Sequence, residues 1–326
     1  MKLTGVFVIE TGVVNRGDGI GNIATVKKLT TPEGIKVFFS PPSYKRALWK
    51  ALNKHKNWSL PMVTKEGGVV QRTGTIIDSE EFDFAGTMIV SPKYERECTL
   101  LVDNGISINN YYGDMDFMTN MALSKQYGEN EANIINKENF YGIYILPFAI
   151  EIDRVGIQHI KTVDTKIEDT DDLETKIKKI YKALKLEEKI TDEQVKEWTG
   201  ILESINYDKK NKTTEIVLTK KERKRRLKDL LEGMGELSRR IEGSERNLSP
   251  FFAAFSLTYI SPKYLMIIKD FLKKKLSEGG YLDVEELSNE IKDFASKEGK
   301  EIMVTDYINY KQVIEEIINK IEIFKE

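Results

Sequence analysis

Leu3-Thr4-Gly5-Val6-Phe7-Val8-Ile9, rich in Val and Phe, reads as a buried β-strand, and the order of elements around it decides the fold. It runs into Val14-Asn15-Arg16-Gly17-Asp18-Gly19-Ile20-Gly21-Asn22, a loop whose three glycines free the backbone. Residues 23–29 and 35–39 are strand-like. Ser40-Pro41-Pro42-Ser43 then opens a helix, because Ser caps free N–H groups and Pro is tolerated in a first turn. Tyr44, Ala47, Leu48, Ala51 and Leu52 form its apolar face, and Arg46, Lys50 and Lys54 a basic stripe at i, i+4, i+8.

Further out, residues 57–135 are less regular. They hold Gly67-Gly68, Gly74 and Gly86, with strand signals at 84–90 and 100–108, and read as an insertion elaborated from loops. Residues 140–152 give a strong strand signal in which Pro147 predicts an edge position or a bend. Residues 161–212 turn rich in Lys, Asp and Glu, with helical patterns at 173–184 and 192–202; they read as a protruding insertion with little core. After a strand at 216–218, Leu227, Leu230, Leu231, Met234, Leu237 and Ile241 recur at helical spacing. The turn Glu242-Gly243-Ser244-Glu245-Arg246-Asn247 leads to a strand candidate at 251–260, and three amphipathic helices at 262–276, 284–296 and 306–324 finish the chain.

Without its insertions the order is strand, helix, strand, strand, helix, strand. That is the βαββαβ order of a ferredoxin-like or RRM-like sheet, an α+β fold. Residues 1–56 and 213–260 would form two halves of a palm joined by a palm strand in 136–156. Residues 57–135 and 157–212 would be insertions, and 261–326 C-terminal helices packed on the palm.

The chain has 326 residues, 40% of them apolar, enough for one large domain or a core with insertions. No apolar run approaches the roughly 20 residues a membrane span needs. The N-terminal apolar stretch is too short for a signal peptide and meets Glu10. Cys98 is the single cysteine, so neither an internal disulfide nor a cysteine-based zinc cluster is available. A cytoplasmic protein is expected. Net charge is −2, but residues 1–72 hold twelve Lys/Arg against four Asp/Glu, leaving 38 against 48 for the remainder. If the first quarter forms one surface, it attracts phosphates despite the overall sign; a solvated lysine-rich face satisfies the same composition.

Four features bear on chemistry. The glycines at 17, 19 and 21 are followed by a strand-like segment, not the helix that a dinucleotide fingerprint requires, so no nucleotide cofactor is expected. The same loop lets a backbone approach phosphates, with Arg16 and Asn15 or Asn22 as donors. The first helix carries Lys45, Arg46 and Lys50. Residues 220–228 set seven Lys/Arg against Glu222 alone, at a helix N-terminus where positive charge opposes the macrodipole. A polyanionic partner would offset that cost. Finally, the 243–247 turn carries Arg246 and Asn247. His55 and His159 lack metal-ligand spacing, no Ser or Cys sits in a nucleophile elbow, and Asp114 and Asp116 read as turn formers, so neither metal site nor enzyme is expected.

Taken together, these pieces resemble the DevR family of CRISPR-associated proteins, the repeating backbone subunit of type I-B Cascade. The resemblance rests on Leu3-Thr4-Gly5-Val6-Phe7-Val8-Ile9-Glu10-Thr11-Gly12 with Asn15-Arg16, and on Phe39-Ser40-Pro41-Pro42-Ser43-Tyr44-Lys45-Arg46-Ala47-Leu48. Phe140-Tyr141-Gly142-Ile143-Tyr144 continuing to Asp153-Arg154-Val155-Gly156, and Arg225 through Glu242-Gly243-Ser244-Glu245-Arg246-Asn247 to Phe251-Phe252, carry the rest. It spans about half the chain, and the turn reads Gly-Ser where relatives often carry a glycine pair. The resemblance implies a hand-shaped subunit whose palm holds guide RNA, with 57–135 as fingers and 157–212 as thumb. Copies would polymerise along CRISPR guide RNA in a helical filament, beside other Cascade subunits, with target DNA reached through the guide. RNA contacts would come from Asn15, Arg16, Asn22, Ser43, Lys45, Arg46, Lys50, Arg225, Arg226, Ser244, Arg246 and Asn247. Backbone holding suits a guide whose sequence changes while its phosphates do not. Two alternatives stay open: an RNA-cleaving subunit using Asp18 in the loop after the first strand, and a regulator binding its own message or promoter.

Overall fold

The structure is a computed structural model that describes residues 1–66, 68–128, 133–161, 163–279 and 282–324; Gly67 of the expected Gly67-Gly68 pair lies outside them. It is a mixed α+β fold built on an eight-stranded sheet. In chain order the principal elements begin with strands β1 (Lys2–Gly12), β2 (Lys28–Thr31) and β3 (Gly34–Phe39), followed by helix α1 (Pro41–Lys56). Strands β4 (Leu100–Val102), β5 (Gly105–Asn110), β6 (Tyr141–Glu151) and β7 (Ile157–Lys161) precede helices α2 (Leu173–Ala183) and α3 (Asp192–Thr199). Next come β8 (Leu202–Asp208), β9 (Thr213–Leu218), α4 (Lys220–Gly235) and the hairpin of β10 (Ser238–Ile241) and β11 (Ser244–Asn247). Strand β12 (Phe252–Ser256), helices α5 (Leu265–Ser277) and α6 (Val284–Lys297), strand β13 (Met303–Asp306) and helix α7 (Tyr310–Lys320) complete it.

The main sheet runs β13-β12-β1-β6-β5-β3-β2, with β4 also paired to β6. Strand β1 lies between β6 and β12, antiparallel to both. Its alternate residues feed two cores. Leu3, Phe7 and Ile9 meet Leu48 and Trp49 of α1, Leu227 and Leu230 of α4, and Ile314 and Ile317 of α7. Val6 and Val8 meet Ile268 and Phe271 of α5 with Leu287 and Ile291 of α6. The sheet is thus covered by helices on both faces, which accounts for the absence of a polar alternation in β1.

Two glycines of this sheet have a steric cause. Gly5 is registered opposite Phe148 and Gly105 opposite Phe39, and a Cβ on either would stand 2.1 Å from the facing ring's Cζ. Phe148 folds over Gly5 and meets Phe7 edge-on at 4.8 Å between ring centroids.

Several expectations change. Strands β4 and β5, within 57–135, belong to the main sheet, so that stretch is not wholly peripheral. Pro147 sits in an interior strand: its carbonyl accepts from Asp103 N (3.0 Å), so its side of β6 faces the break between β4 and β5, where no ladder donor is required. Residues 84–85 close a short helix, Glu80–Ala85, and 23–29 split into two strands of different sheets. Strand β9 joins β7 and β8 in a separate three-stranded sheet, not the main one. The 157–212 stretch has a substantial core: Ile160, Ile177, Ile180, Tyr181, Val195 and Ile205 cluster with Ile76, Phe82 and Tyr94. The helix expected to reach Ile241 ends at Gly235, where a Cβ would meet the Tyr310 ring at 2.2 Å, and Ile241 lies in the hairpin. Strand β13, not anticipated, extends the sheet beyond β12.

Candidate nucleic-acid interface

The hairpin β10–β11 stands beside the end of β1. Its two turn residues, Glu242 (φ 50°) and Gly243 (φ 79°), both have left-handed backbone, the geometry of a tight two-residue hairpin turn. Leu248 N donates to Leu237 O at 2.8 Å at the base, and Phe251 N donates to Val8 O at 3.0 Å, which ties the hairpin to β1. Arg239 and Arg246 face each other across the ladder.

This places the expected loop and the expected turn on one surface. Arg16 donates from Nε and Nη2 to the two carboxylate oxygens of Glu242 (3.1 and 2.9 Å) and from Nη1 to Glu138 O. Lys137 Nζ reaches the same carboxylate at 3.1 Å. The hydrogen bond from Arg16, with that from Lys137, holds the Glu242 carboxyl below its ordinary pKa against the opposing effect of burial. Arg246 lies against the backbone at Gly12, where a Cβ would sit 3.4 Å from its Nε and Cζ, and its charge acts on the buried Tyr144 hydroxyl. The Oδ1 of Asn15 and the Nε of Arg246 are buried and have no hydrogen-bond partner among the described residues. An unpaired buried acceptor and donor are costly unless a bound molecule or water satisfies them.

Ser43, in the first turn of α1, accepts from Arg239 Nη1 at both its hydroxyl and its carbonyl (3.2 Å to the latter). Arg239 is the residue that sequence reasoning missed. Its signal was Ser238-Arg239-Arg240 immediately before the turn, hidden because that segment was read as the end of a helix. Burial lowers the pKa of its guanidinium. Asn247 is exposed, with Oδ1 accepting from Ser249 N at 2.9 Å; Ser244 is exposed near the turn. Asn22 donates to Ile134 O at 3.4 Å, fixing the loop to the neighbouring strand. Arg46 and Lys50 are exposed on α1.

Three expected contacts are corrected. Lys45 turns inward: its ammonium donates to Leu100 O at 2.6 Å, and burial lowers its pKa. Arg226 is 1% exposed and donates to Glu222 (2.7 Å), Asp83 (3.3 Å) and Ile76 O (2.9 Å). Arg225 is held by Glu222, Glu80 and Asp229 at 2.6, 2.7 and 2.9 Å. Arg223 adds bonds to Val155 O (2.6 Å) and Asp153 O (3.2 Å). Arg223, Arg225 and Arg226 of this basic block therefore form an internal clamp on 76–83 and 153–155, and their charge is offset by Glu222 and Asp229 of α4 together with Glu80 and Asp83, which are distant in sequence.

Asp18 is exposed, and its backbone carbonyl accepts from the Thr25 hydroxyl. Among the described residues no group of three or more His, Cys, Asp or Glu side chains is arranged to hold a metal ion. No helix among them is long and apolar enough to cross a membrane.

Comparison with known proteins agrees with this architecture. A family model described as CRISPR-associated negative auto-regulator DevR/Csa2 matches residues 3–264. No curated protein matches the sequence. Among solved structures, a chain of a "CRISPR RNA-guided surveillance complex, pre-nicking" superposes with a TM-score of 0.56 at 8% identity, covering 98% of this chain and 99% of that one. A chain of a "CRISPR RNA-guided surveillance complex" gives 0.52 at 10% identity, with the same coverage. At such identities the likeness is one of fold.

Proposed function

Since the chain belongs to the CRISPR-associated DevR/Csa2 family, we propose that it is a non-catalytic backbone subunit of a type I-B Cascade surveillance complex, holding guide RNA by its phosphates. The observation that carries this reading is the convergence of Arg16, Arg239 and Arg246 at the end of β1, with Asn15 Oδ1 and Arg246 Nε buried there and unpaired among the described residues. Guanidinium groups suit phosphate oxygens because their planar donors match them in pairs. We read β12-β1-β6-β5, with α1 and α4 on one face, as a ferredoxin-like palm. Copies of the chain line up along the RNA in the cytoplasm beside other subunits, and target DNA is engaged through the guide.

Native purification followed by sizing of bound nucleic acid tests this. RNA in lengths stepped by a constant amount per protein copy is expected; purification without RNA, or with RNA of no regular step, overturns it. The family's description as a negative auto-regulator favours a second reading. Tighter binding to the chain's own message or promoter than to a scrambled sequence of equal length would select it. Regular cuts in complementary RNA, lost in Asp18→Ala, would select cleavage instead.

A further inference from the structure

On the sheet face covered by α5, the β2–β3 turn, β5 and α5 enclose a cavity of about 260 Å³. Its lining combines the apolar Ile106, Ile145 and Pro147 of the sheet and Leu265 of α5 with Lys36 of β3 and with Lys269 and Lys273, which follow Leu265 at i+4 and i+8 on α5. Lys36 is 7% exposed, and its ammonium donates to the carbonyl of Ile108, which also lines the cavity. Among the described residues no carboxylate forms an ion pair with it. The nearby Glu33 pairs with Lys273 at 2.6 Å, and Asp103 Oδ1 accepts from Asn104 N at 2.7 Å. A covered ammonium with three donors and one carbonyl acceptor is poorly compensated. Burial accordingly lowers the Lys36 pKa, with Glu33 opposing.

The charges lining the cavity are three lysines against Glu33 and Asp103, a balance of +1. An apolar trough of Leu101, Val102, Ala149 and Pro262 continues from the same rim, sharing Asp103, Pro147 and Leu265 with the cavity. The geometry points to a binding site for a small monocarboxylate with an apolar stem, its carboxylate against Lys36 and its stem along Ile106, Ile145 and Leu265. One negative charge matches the balance, whereas a dianionic phosphate exceeds it and leaves the apolar lining unused. The volume lies just under the ~300–1,000 Å³ of pockets for drug-sized ligands, so the molecule is small. This site is separate from the surface formed by the loop after β1 and the hairpin.

Calorimetric titration of the full chain with octanoate, 1-octanol and inorganic phosphate tests the assignment. Octanoate is expected to saturate one site per chain, with 1-octanol and phosphate each at least tenfold weaker. Lys36→Met is expected to weaken octanoate at least tenfold. Should that variant fail to fold, Lys269→Glu, at a half-buried position of the lining, carries the same test with the same expected direction. Absence of saturable octanoate binding to the unmodified chain overturns the proposal. So does 1-octanol or phosphate binding as tightly as octanoate, or octanoate binding unchanged in a folded Lys36→Met or Lys269→Glu variant.

Discussion

Arg16 and Arg226 show how one side-chain type serves opposite ends. Arg226 is sealed inside, and replacing it by Leu leaves Asp83 and Glu222 short of a buried partner. Urea unfolding of Arg226→Leu is expected to show a loss of about 3–5 kcal/mol, the usual cost of breaking a buried ion pair from one side. A loss under 1 kcal/mol would mean that Arg96, which also pairs with Asp83, and Arg225, which also pairs with Glu222, compensate. Arg16, by contrast, is engaged by Glu242, a carboxylate standing where the proposed phosphate would bind. Glu242→Gln removes the negative charge paired with Arg16 and Lys137, so RNA affinity at low salt is expected to rise several-fold while Arg246→Ala lowers it. Fluorescence anisotropy with a short single-stranded RNA reads both, and weaker binding by Glu242→Gln would remove Glu242 as a competitor. Gly5 and Gly105 form a third case. Alanine at either drives a methyl into an aromatic ring, an overpacking expected to cost about 1–3 kcal/mol in urea unfolding.

At the scale of elements, a carboxylate joins the loop before Glu80–Ala85 to α2. Asp78 Oδ1 accepts from Thr75 N at 2.6 Å and from the Tyr181 hydroxyl, while Oδ2 has no partner among the described residues. Burial pushes its pKa up to about 6 despite those hydrogen bonds. An unfolded chain ionises Asp near ~3.9, so between that pH and the folded value the native state keeps a proton that the unfolded state has lost. Stability from this group falls as pH rises from about 4 through 6, with the full penalty, about 3 kcal/mol, present above. Asp78→Asn is expected to flatten that part of the profile in urea unfolding between pH 4.5 and 7; equal slopes in both proteins would remove Asp78 as its source. What the sequence disclosed follows the same division between local and distant causes. The strands at Leu3–Ile9 and after residue 140, and the first helix with its Ser-Pro-Pro start, are legible because their signals lie within a dozen residues. The clamp of α4 is not, because beside the local Glu222 and Asp229 it closes on Glu80 and Asp83, some 140 positions away. Strand β13 escaped notice because four residues between two helices carry no period. The loop and turn were legible as candidates, whereas Arg239 required the hairpin register to appear.

Over the whole molecule, charge is sorted by folding more than by sequence position. The excess of twelve Lys/Arg over four Asp/Glu in residues 1–72 suggests one cationic surface, yet Lys45 points inward, Arg16 is paired and Lys36 faces a cavity on the other side of the sheet. The surface proposed for a phosphate chain is assembled instead from two stretches distant in sequence, the loop after β1 and the hairpin after α4, drawn together because β1 is the neighbour of β12. RNA bound on such a surface would release counterions, so the salt dependence would count the phosphates held. With about six per copy, log affinity is expected to fall with log salt at a slope of about −4, or roughly 300-fold between 50 and 200 mM. Arg246→Ala is expected to reduce that slope by about 0.7, one phosphate, equally for RNAs of unrelated sequence. Arg225→Ala, whose side chain is spent on Glu80, Glu222 and Asp229, is expected to leave the slope unchanged although it lowers stability. Anisotropy titrations across that salt range separate the two variants. A slope near zero would mean that no phosphates are held, and one that Arg225→Ala alters as much as Arg246→Ala would mean that the strand runs along α4 and not across the hairpin.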